Sequence, residues 1–329
     1  MARNLITDVP GIRVGHAGDP LLGSGVTVVV FDEPAVASID LRGGAPGTRE
    51  TALLDPAQTV SGIDAIALSG GSAFGLDTAS GAQAWLREQG RGFAVRSARV
   101  PIVPGAILFD LLSGGDKDWD RYPPYRELGY AAAAGAEVNF ALGSVGAGLG
   151  ATTVNFKGGV GSASAQIDGF TVGALAVVNA AGSVVMGGGP AFWAAPFEQH
   201  DEFGGRELLS VIPAGALEPR TKGSPQASTT LVVVATDATL TKAQAKRLAV
   251  MAQTGVARAI YPVHTPLDGD VLFAASTGRK ALADPLLGLS KLGAVAANVT
   301  ARAIARAVYE ATTLPFAGAQ PSWRDTFGK

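Results

Sequence analysis

There is no cysteine anywhere in this chain, so disulfides, thiolate metal sites and a cysteine nucleophile are all excluded. Histidine is nearly as scarce. His16, His200 and His264 stand too far apart in sequence to form a recognisable triad. Charge is thin, at 16% of residues, and balanced: 26 basic against 28 acidic residues leave a formal net charge of -2. Nucleic acids and anionic membranes are recognised through a dense basic footprint, which this balance withholds, so neither is an expected partner. Apolar stretches are cut by Gly, Asp or Asn before they reach the eighteen or so residues of a membrane span. The opening residues, MARNLITDVPGIRVGH, carry no apolar segment of a secretory signal. These absences lead to the expectation of a soluble, cytoplasmic protein without metal or cofactor.

What the chain has instead is apolar mass and glycine. Hydrophobic residues make up 47% of its 329 residues, enough for a large core and too many for disorder. Length alone suggests about two domains, or one large sheet-and-helix domain. The 44 glycines cluster at 43–44, 70–71, 146–150, 158–161 and 187–189, which reads as tight turns and close backbone approaches rather than a repeat.

Strand and helix signals alternate. Residues 24–31 (SGVTVVVF) read as a strand, turned at Asp32-Glu33-Pro34 and paired with 36–41. A buried strand at 63–68 ends in Ser69-Gly70-Gly71-Ser72, and a helix follows over 73–89. A second, alanine-rich helix spans 125–136, and a long one 288–311. Residues 170–178 and 183–186 flank Asn179-Ala180-Ala181-Gly182 and read as a hairpin. Residues 187–227 are polar, proline-bearing and aperiodic, the one linker-like surface segment. Beyond it the pattern returns as strand 229–234, a helix capped at Thr239 or Thr241, and strand 271–275. The sum is α/β, sheets covered by helices.

Several motifs carry chemistry, and each has an ordinary structural reading beside it. Thr229 opens a buried strand straight after the irregular segment. In N-terminal-nucleophile enzymes a hydroxyl at such a place attacks the preceding carbonyl, and the released α-amine becomes the base for its own side chain. An α-amine suits that task because its pKa of roughly 7.7–8.0 lies near working pH. Alone, Ser228-Thr229 reads first as the ordinary start of a strand. Asp268 and Asp270, two apart in extended chain, point to one face, where an ammonium would compensate their like charge. Alone they are a solvated turn, and with His264 a metal reading is open. The turn at Gly70, Gly71 and Phe74 joins strand to helix and presents N–H groups for an oxyanion, or simply packs the two elements. Lys157 among glycines and Asn179 at a turn are singly unremarkable.

Together these pieces resemble the L-aminopeptidase/D-esterase family, which includes the β-peptidyl aminopeptidases and nylon-oligomer hydrolases. The matching stretches are residues 40–48 (DLRGGAPGT), 68–77, 143–157, 177–179, 229–237 and 264–273, in the family's order across nearly the whole length. The resemblance implies a four-layer αββα sandwich similar to the N-terminal-nucleophile hydrolases. It implies autocleavage between Ser228 and Thr229, giving chains 1–228 and 229–329. It implies Thr229 as nucleophile, Asp268 and Asp270 as its orienting pair, and Lys157 and Asn179 lining the catalytic centre. An asparagine aimed at a developing oxyanion is worth roughly 2.7–4 kcal/mol. Two departures stand out. Ser228 occupies a position where the family often has Asn or Gly, and Phe74 replaces a Tyr, which removes a hydroxyl donor beside Gly70 and Gly71. The expected activity is hydrolysis of small peptides or related amides and esters by a homo-oligomer, tetrameric in many relatives. An ornithine-acetyltransferase-like acyl transfer and an uncut, non-enzymatic homologue are the alternatives.

Overall fold

The computed structural model describes residues 2–206, 209–222 and 228–328. Of the segment expected to be irregular, 207–208 and 223–227 lie outside the described residues. The strands are β1 (Ile12–Asp19), β2 (Ser24–Leu41), β3 (Gly47–Arg49), β4 (Ile63–Ser69), β5 (Phe93–Val95), β6 (Ala98–Val100), β7 (Gly105–Ile107), β8 (Gly159–Ile167), β9 (Phe170–Asn179), β10 (Thr229–Ala238) and β11 (Val271–Lys280). The helices are α1 (Thr78–Glu88), α2 (Tyr125–Ala134), α3 (Lys242–Ala257), α4 (Pro285–Tyr309) and α5 (Trp323–Phe327).

The expected turn at Asp32-Glu33-Pro34 does not form. The chain runs on as one 18-residue strand, β2, which belongs to two sheets. Its first half pairs with β1 and β4, and its second half, Val36 to Leu41, pairs antiparallel with β11. Pro34 is accommodated because the β2–β4 register shifts between Val30 and Ala35, and the ladder needs no N–H there. The order β3-β7-β4-β2-β11-β10-β9-β8 therefore folds at β2 into a front sheet and a back sheet.

Three apolar layers result, and strand periodicity explains each. Val29 and Phe31 of β2 face Leu231 and Val233 of β10 and Leu175 and Val177 of β9 between the sheets. Val26, Val28 and Val30 turn outward beneath Ala79, Ala82 and Leu86 of α1 and Ala132 of α2. Val232 and Val234 of β10 turn the other way, beneath Leu248 and Ala252 of α3 and Val299 and Ile304 of α4. Both faces of the central strands are buried, so they read as unbroken valine runs rather than alternating ones. This is the four-layer αββα arrangement.

Local signals explain most ends. Thr241 caps α3 in a reciprocal box with Gln244, and Asp284 caps α4 ahead of Pro285. The helix expected over 73–89 begins as a 3-10 turn, Ser72–Asp77, and becomes α-helical only at Thr78. The expected hairpin at 179–182 is also replaced. β9 pairs with β8 through the two-residue turn Asp168-Gly169, whose φ values of +49° and +81° are those a type I′ hairpin turn demands. Asn179 consequently stands at the end of a central strand, not at a hairpin tip. Residues 183–186 form only isolated bridges, Ser183 with Tyr261 and Val185 with Phe192.

The segment from 187 onward is irregular, but it does not lie wholly on the surface. Phe192 and Phe203 are buried in the back core, where Phe192 stacks on Trp323 of α5 at 5.4 Å. Glu202 pairs with buried Arg302 of α4, whose guanidinium also bonds Asn4 Oδ1 at 2.9 Å. Aromatic anchors outweigh the polar composition of their surroundings. Among the described residues, no helix is long and apolar enough to cross a membrane.

Candidate active site

β10 and β11 run parallel through the middle of the back sheet, and their first residues lie side by side. β9 pairs antiparallel on the other side of β10, with Asn179 directly opposite Thr229. Directly opposed residues of an antiparallel pair project to the same face, roughly 4.5–5.5 Å apart at Cβ. The ladder thus brings Thr229, Asn179 and the Asp268-Gly269-Asp270 turn to one end of the sheet.

The peptide between Ser228 and Thr229 is tightly held. Thr229 Oγ1 donates to the Ser228 carbonyl oxygen at 2.6 Å, and Gly269 N–H donates to the same oxygen at 2.7 Å. A Cβ on Gly269 would lie 2.7 Å from Thr229 Oγ1, so only glycine brings its N–H this close. Both residues of the bond are buried.

The two aspartates face separate partners. Asp270 accepts from Thr230 N–H at 2.7 Å and from His264 Nδ1 at 2.8 Å. Asp268 accepts from Ala181 N–H at 3.1 Å, Thr265 N–H at 2.9 Å and Thr265 Oγ1 at 2.8 Å. Burial, reinforced by the charge of Asp270, pushes the Asp268 carboxyl above the usual carboxylate range. The 40–48 stretch supports the pair from outside: Ala45 N–H bonds Asp268 O at 2.8 Å and Arg42 N–H bonds Asp270 O at 3.1 Å. Gly43 is forced to be glycine there, since its Cβ would sit 2.2 Å from Asp270 N.

Asn179 is equally constrained. Its Nδ2 donates to Phe109 O at 3.0 Å, while its Oδ1 accepts from Thr152 N–H and Lys222 Nζ, each at 3.0 Å. Lys157 is buried and gives its three protons to the carbonyls of Gly148, Ala151 and Gly158 at 2.7–2.8 Å, which organises the glycine loop. Those bonds need the ammonium, yet desolvation pulls its pKa down to about 7, with Asp110 opposing. No hydrogen bond joins it to Thr229 among the described residues.

The turn at Gly70 and Gly71 reaches this centre through Asp110. Gly71 N–H bonds Asp110 Oδ1 at 2.7 Å and Gly70 N–H bonds Gly25 O at 2.9 Å, so both N–H groups are occupied. Phe74 is half exposed and packs edge-on against Trp119 at 5.2 Å. Asp110 follows Phe109, the partner of Asn179, and accepts from Ser24 Oγ at 2.6 Å. Burial raises its pKa, offset by the Ser24 and Gly71 bonds.

Sequence reasoning missed Lys222 and Asp110, and weighed His264 as a triad member or a metal ligand, not as a partner of Asp270. His264 instead bonds Asp270 through both ring and backbone nitrogens. Among the described residues no group of three His, Asp or Glu side chains is gathered to hold a metal. No local signal marks Lys222, a lone lysine in an aperiodic stretch. Only the three-dimensional approach to Asn179 distinguishes it.

Known proteins resemble this chain over most of its length. An uncharacterized aminopeptidase of Mycobacterium tuberculosis is 45% identical, covering 98% of each chain. A 6-aminohexanoate-oligomer endohydrolase of a Kocuria species is 27% identical over 89% of this chain and 80% of its own length. The solved L-aminopeptidase D-Ala-esterase/amidase of Ochrobactrum anthropi, described as a variant of the Ntn hydrolase fold, superposes with a TM-score of 0.68 at 20% identity. That superposition covers 96% of this chain and 89% of the other, and it shows a shared fold. The family model of peptidase family S58 matches residues 4–320, and the chain belongs to that family.

Proposed function

We propose that the chain is the precursor of an amide-bond hydrolase whose nucleophile is Thr229. The observation that carries this is the Ser228 carbonyl, which accepts from Thr229 Oγ1 at 2.6 Å and from Gly269 N–H at 2.7 Å. A carbonyl polarised by a fixed backbone N–H, with a hydroxyl against it, is set up for attack. Oγ1 adds to the Ser228 carbonyl carbon, the C–N bond breaks, and the proton lost by the hydroxyl passes to the departing nitrogen. Water then hydrolyses the resulting ester, leaving a Ser228 carboxylate and a free α-amine on Thr229.

That amine is the base the mature enzyme requires. It takes the proton from its own hydroxyl as Oγ1 attacks a substrate amide, then delivers it to the leaving amine. Water releases the acyl group by the reverse route. Asp268 and Asp270 flank the start of β10 and orient the ammonium form. Asn179 lies opposite Thr229 with an amide group to offer the oxyanion, and Lys157 fixes the loop whose Thr152 N–H holds that amide. Thr229 is buried, so the cut must open a path to its hydroxyl before a substrate reaches it, while Lys222 stays tied to Ala181 and Asn179. Substrates are small amides or peptides with a free amino end, the class named by the aminopeptidase relatives.

Mass spectrometry of the denatured, purified protein tests this. Two fragments are expected, the smaller beginning at Thr229, together with turnover of an aminoacyl anilide. Thr229→Ala is expected to remain one chain without turnover. Active protein that stays in a single piece ends the proposal.

A further inference from the structure

A cavity of about 170 Å³ opens beside Asn179. Three of its lining residues are the three hydrogen-bond partners of that side chain: Phe109, Thr152 and Lys222. The remaining wall is small or neutral, including Gly114, Gly318 and Gln320, and Lys222 is the one charged residue among the described lining. The Lys222 backbone N–H is tied to Ala181 O at 3.2 Å, which holds the residue on the β9 side of the site. Its ammonium gives one proton to Asn179 Oδ1 at 3.0 Å and approaches Asn179 O at 3.3 Å. An ammonium has three donors, and these two contacts leave one without a partner among the described residues.

The geometry points to Lys222 as a binding residue for the free carboxylate of the leaving group, making dipeptides and other one-residue amides with a terminal acid the preferred substrates. This rests on the reading of Thr229 and Asn179 given above, and it adds what lies on the far side of the scissile bond. Size supports it: a cavity of about 150 Å³ holds a benzene-sized molecule, so this one has room for a single small residue beside Lys222. Charge supports it too, since a largely buried cation in a polar pocket pairs best with an anionic acceptor. Desolvation holds the unliganded lysine near pKa 7, with Asp268 opposing, and a bound carboxylate would act with Asp268 to favour its charged form.

The test uses matched pairs on the cut enzyme: alanyl-glycine against alanyl-glycinamide, and β-alanyl-glycine against its amide. Wild type is expected to favour each acid at least tenfold in kcat/KM, through KM. Lys222→Met and Lys222→Gln are expected to bring the ratio to near one, and Lys222→Arg to restore it. Equal rates on acid and amide in wild type, or a preference that survives Lys222→Met, overturn the assignment. Turnover of neither member would count against the Thr229 chemistry, and a binding arm then decides separately. Glycylglycine and its amide are titrated onto the purified wild-type protein that turns over neither, and equal affinities, or affinities unmoved by Lys222→Met, overturn the carboxylate site.

Discussion

Gly269 is the residue on which the proposed self-cleavage depends besides Thr229 itself. Its N–H reaches Ser228 O only because no side chain stands between it and the hydroxyl. A methyl group there would meet Thr229 Oγ1 and Ala45 O, each at 2.7 Å. The φ of Gly269 lies outside the left-handed region, so the substitution acts through crowding and not through strain. Displacing a reacting atom by about 1 Å lowers rates by about 10²-fold. Gly269→Ala is therefore expected to fold and to accumulate as uncut chain, which a time course on denaturing gels would reveal; cleavage at the wild-type rate would remove Gly269 from the mechanism. The aspartates are a different case at the same scale. Asp268 and Asp270 are legible as a pair in the sequence, but which donors each one serves is not, because His264, Thr265 and Ala181 are fixed by the turn and not by spacing.

β8 shows what an element contributes without touching the site. Its glycines let α4 lie directly on the sheet: a Cβ on Gly161 would sit 2.0 Å from Ala303 O, and one on Gly159 2.5 Å from Ala307 O. With both neighbours main-chain atoms, neither can yield cheaply. Gly161→Ala, introduced into uncut Thr229→Ala protein, is expected to lower stability by about 1–3 kcal/mol or more, the range for forced overpacking. Gly189→Ala, whose Cβ would meet only Met186 O at 3.4 Å, is expected to stay within about 0.5 kcal/mol. Denaturant midpoints compare the two, and similar shifts would show that the helix accommodates the methyl group. The same glycines explain why β8 escapes detection in the sequence. GVGSASAQI lacks the bulky β-branched residues that announce β10 and β11, since its outer face is reserved for helix backbone.

Across the whole molecule, the site is unusual in burying charge at a sheet end. Lys157 is enclosed, with its pKa pulled to about 7 by desolvation, against roughly 10.4 in an unfolded chain. Between those values the unfolded state binds more protons, so stability rises with pH; below pH 7 both states are protonated and the full penalty of the buried charge remains. Lys222 adds in the same direction. The uncut Thr229→Ala protein is expected to become more stable from pH 7 toward pH 10, by at most about 1.4 kcal/mol per pH unit for Lys157. Lys157→Met is expected to flatten that rise, and chemical denaturation across the range measures both. An unchanged slope in the variant would mean that Lys157 does not titrate there.

The sequence by itself determined the class of architecture and the central β-α-β unit. Valine runs buried on both faces, the Thr241 cap and the alanine-rich helices are local signals, and local signals survive in one dimension. It also carried the residues of the 40–48 and 264–273 stretches, whose order along the chain is what makes the family resemblance visible. Only the tertiary structure decided that β2 passes unbroken between two sheets, that Asn179 ends a strand opposite Thr229, and that Lys222 bonds the Asn179 side chain. Register, sheet order and the approach of an aperiodic segment are set by contacts between residues tens to hundreds of positions apart. Such contacts are made by packing, and the spacing of neighbours along the chain holds no record of them.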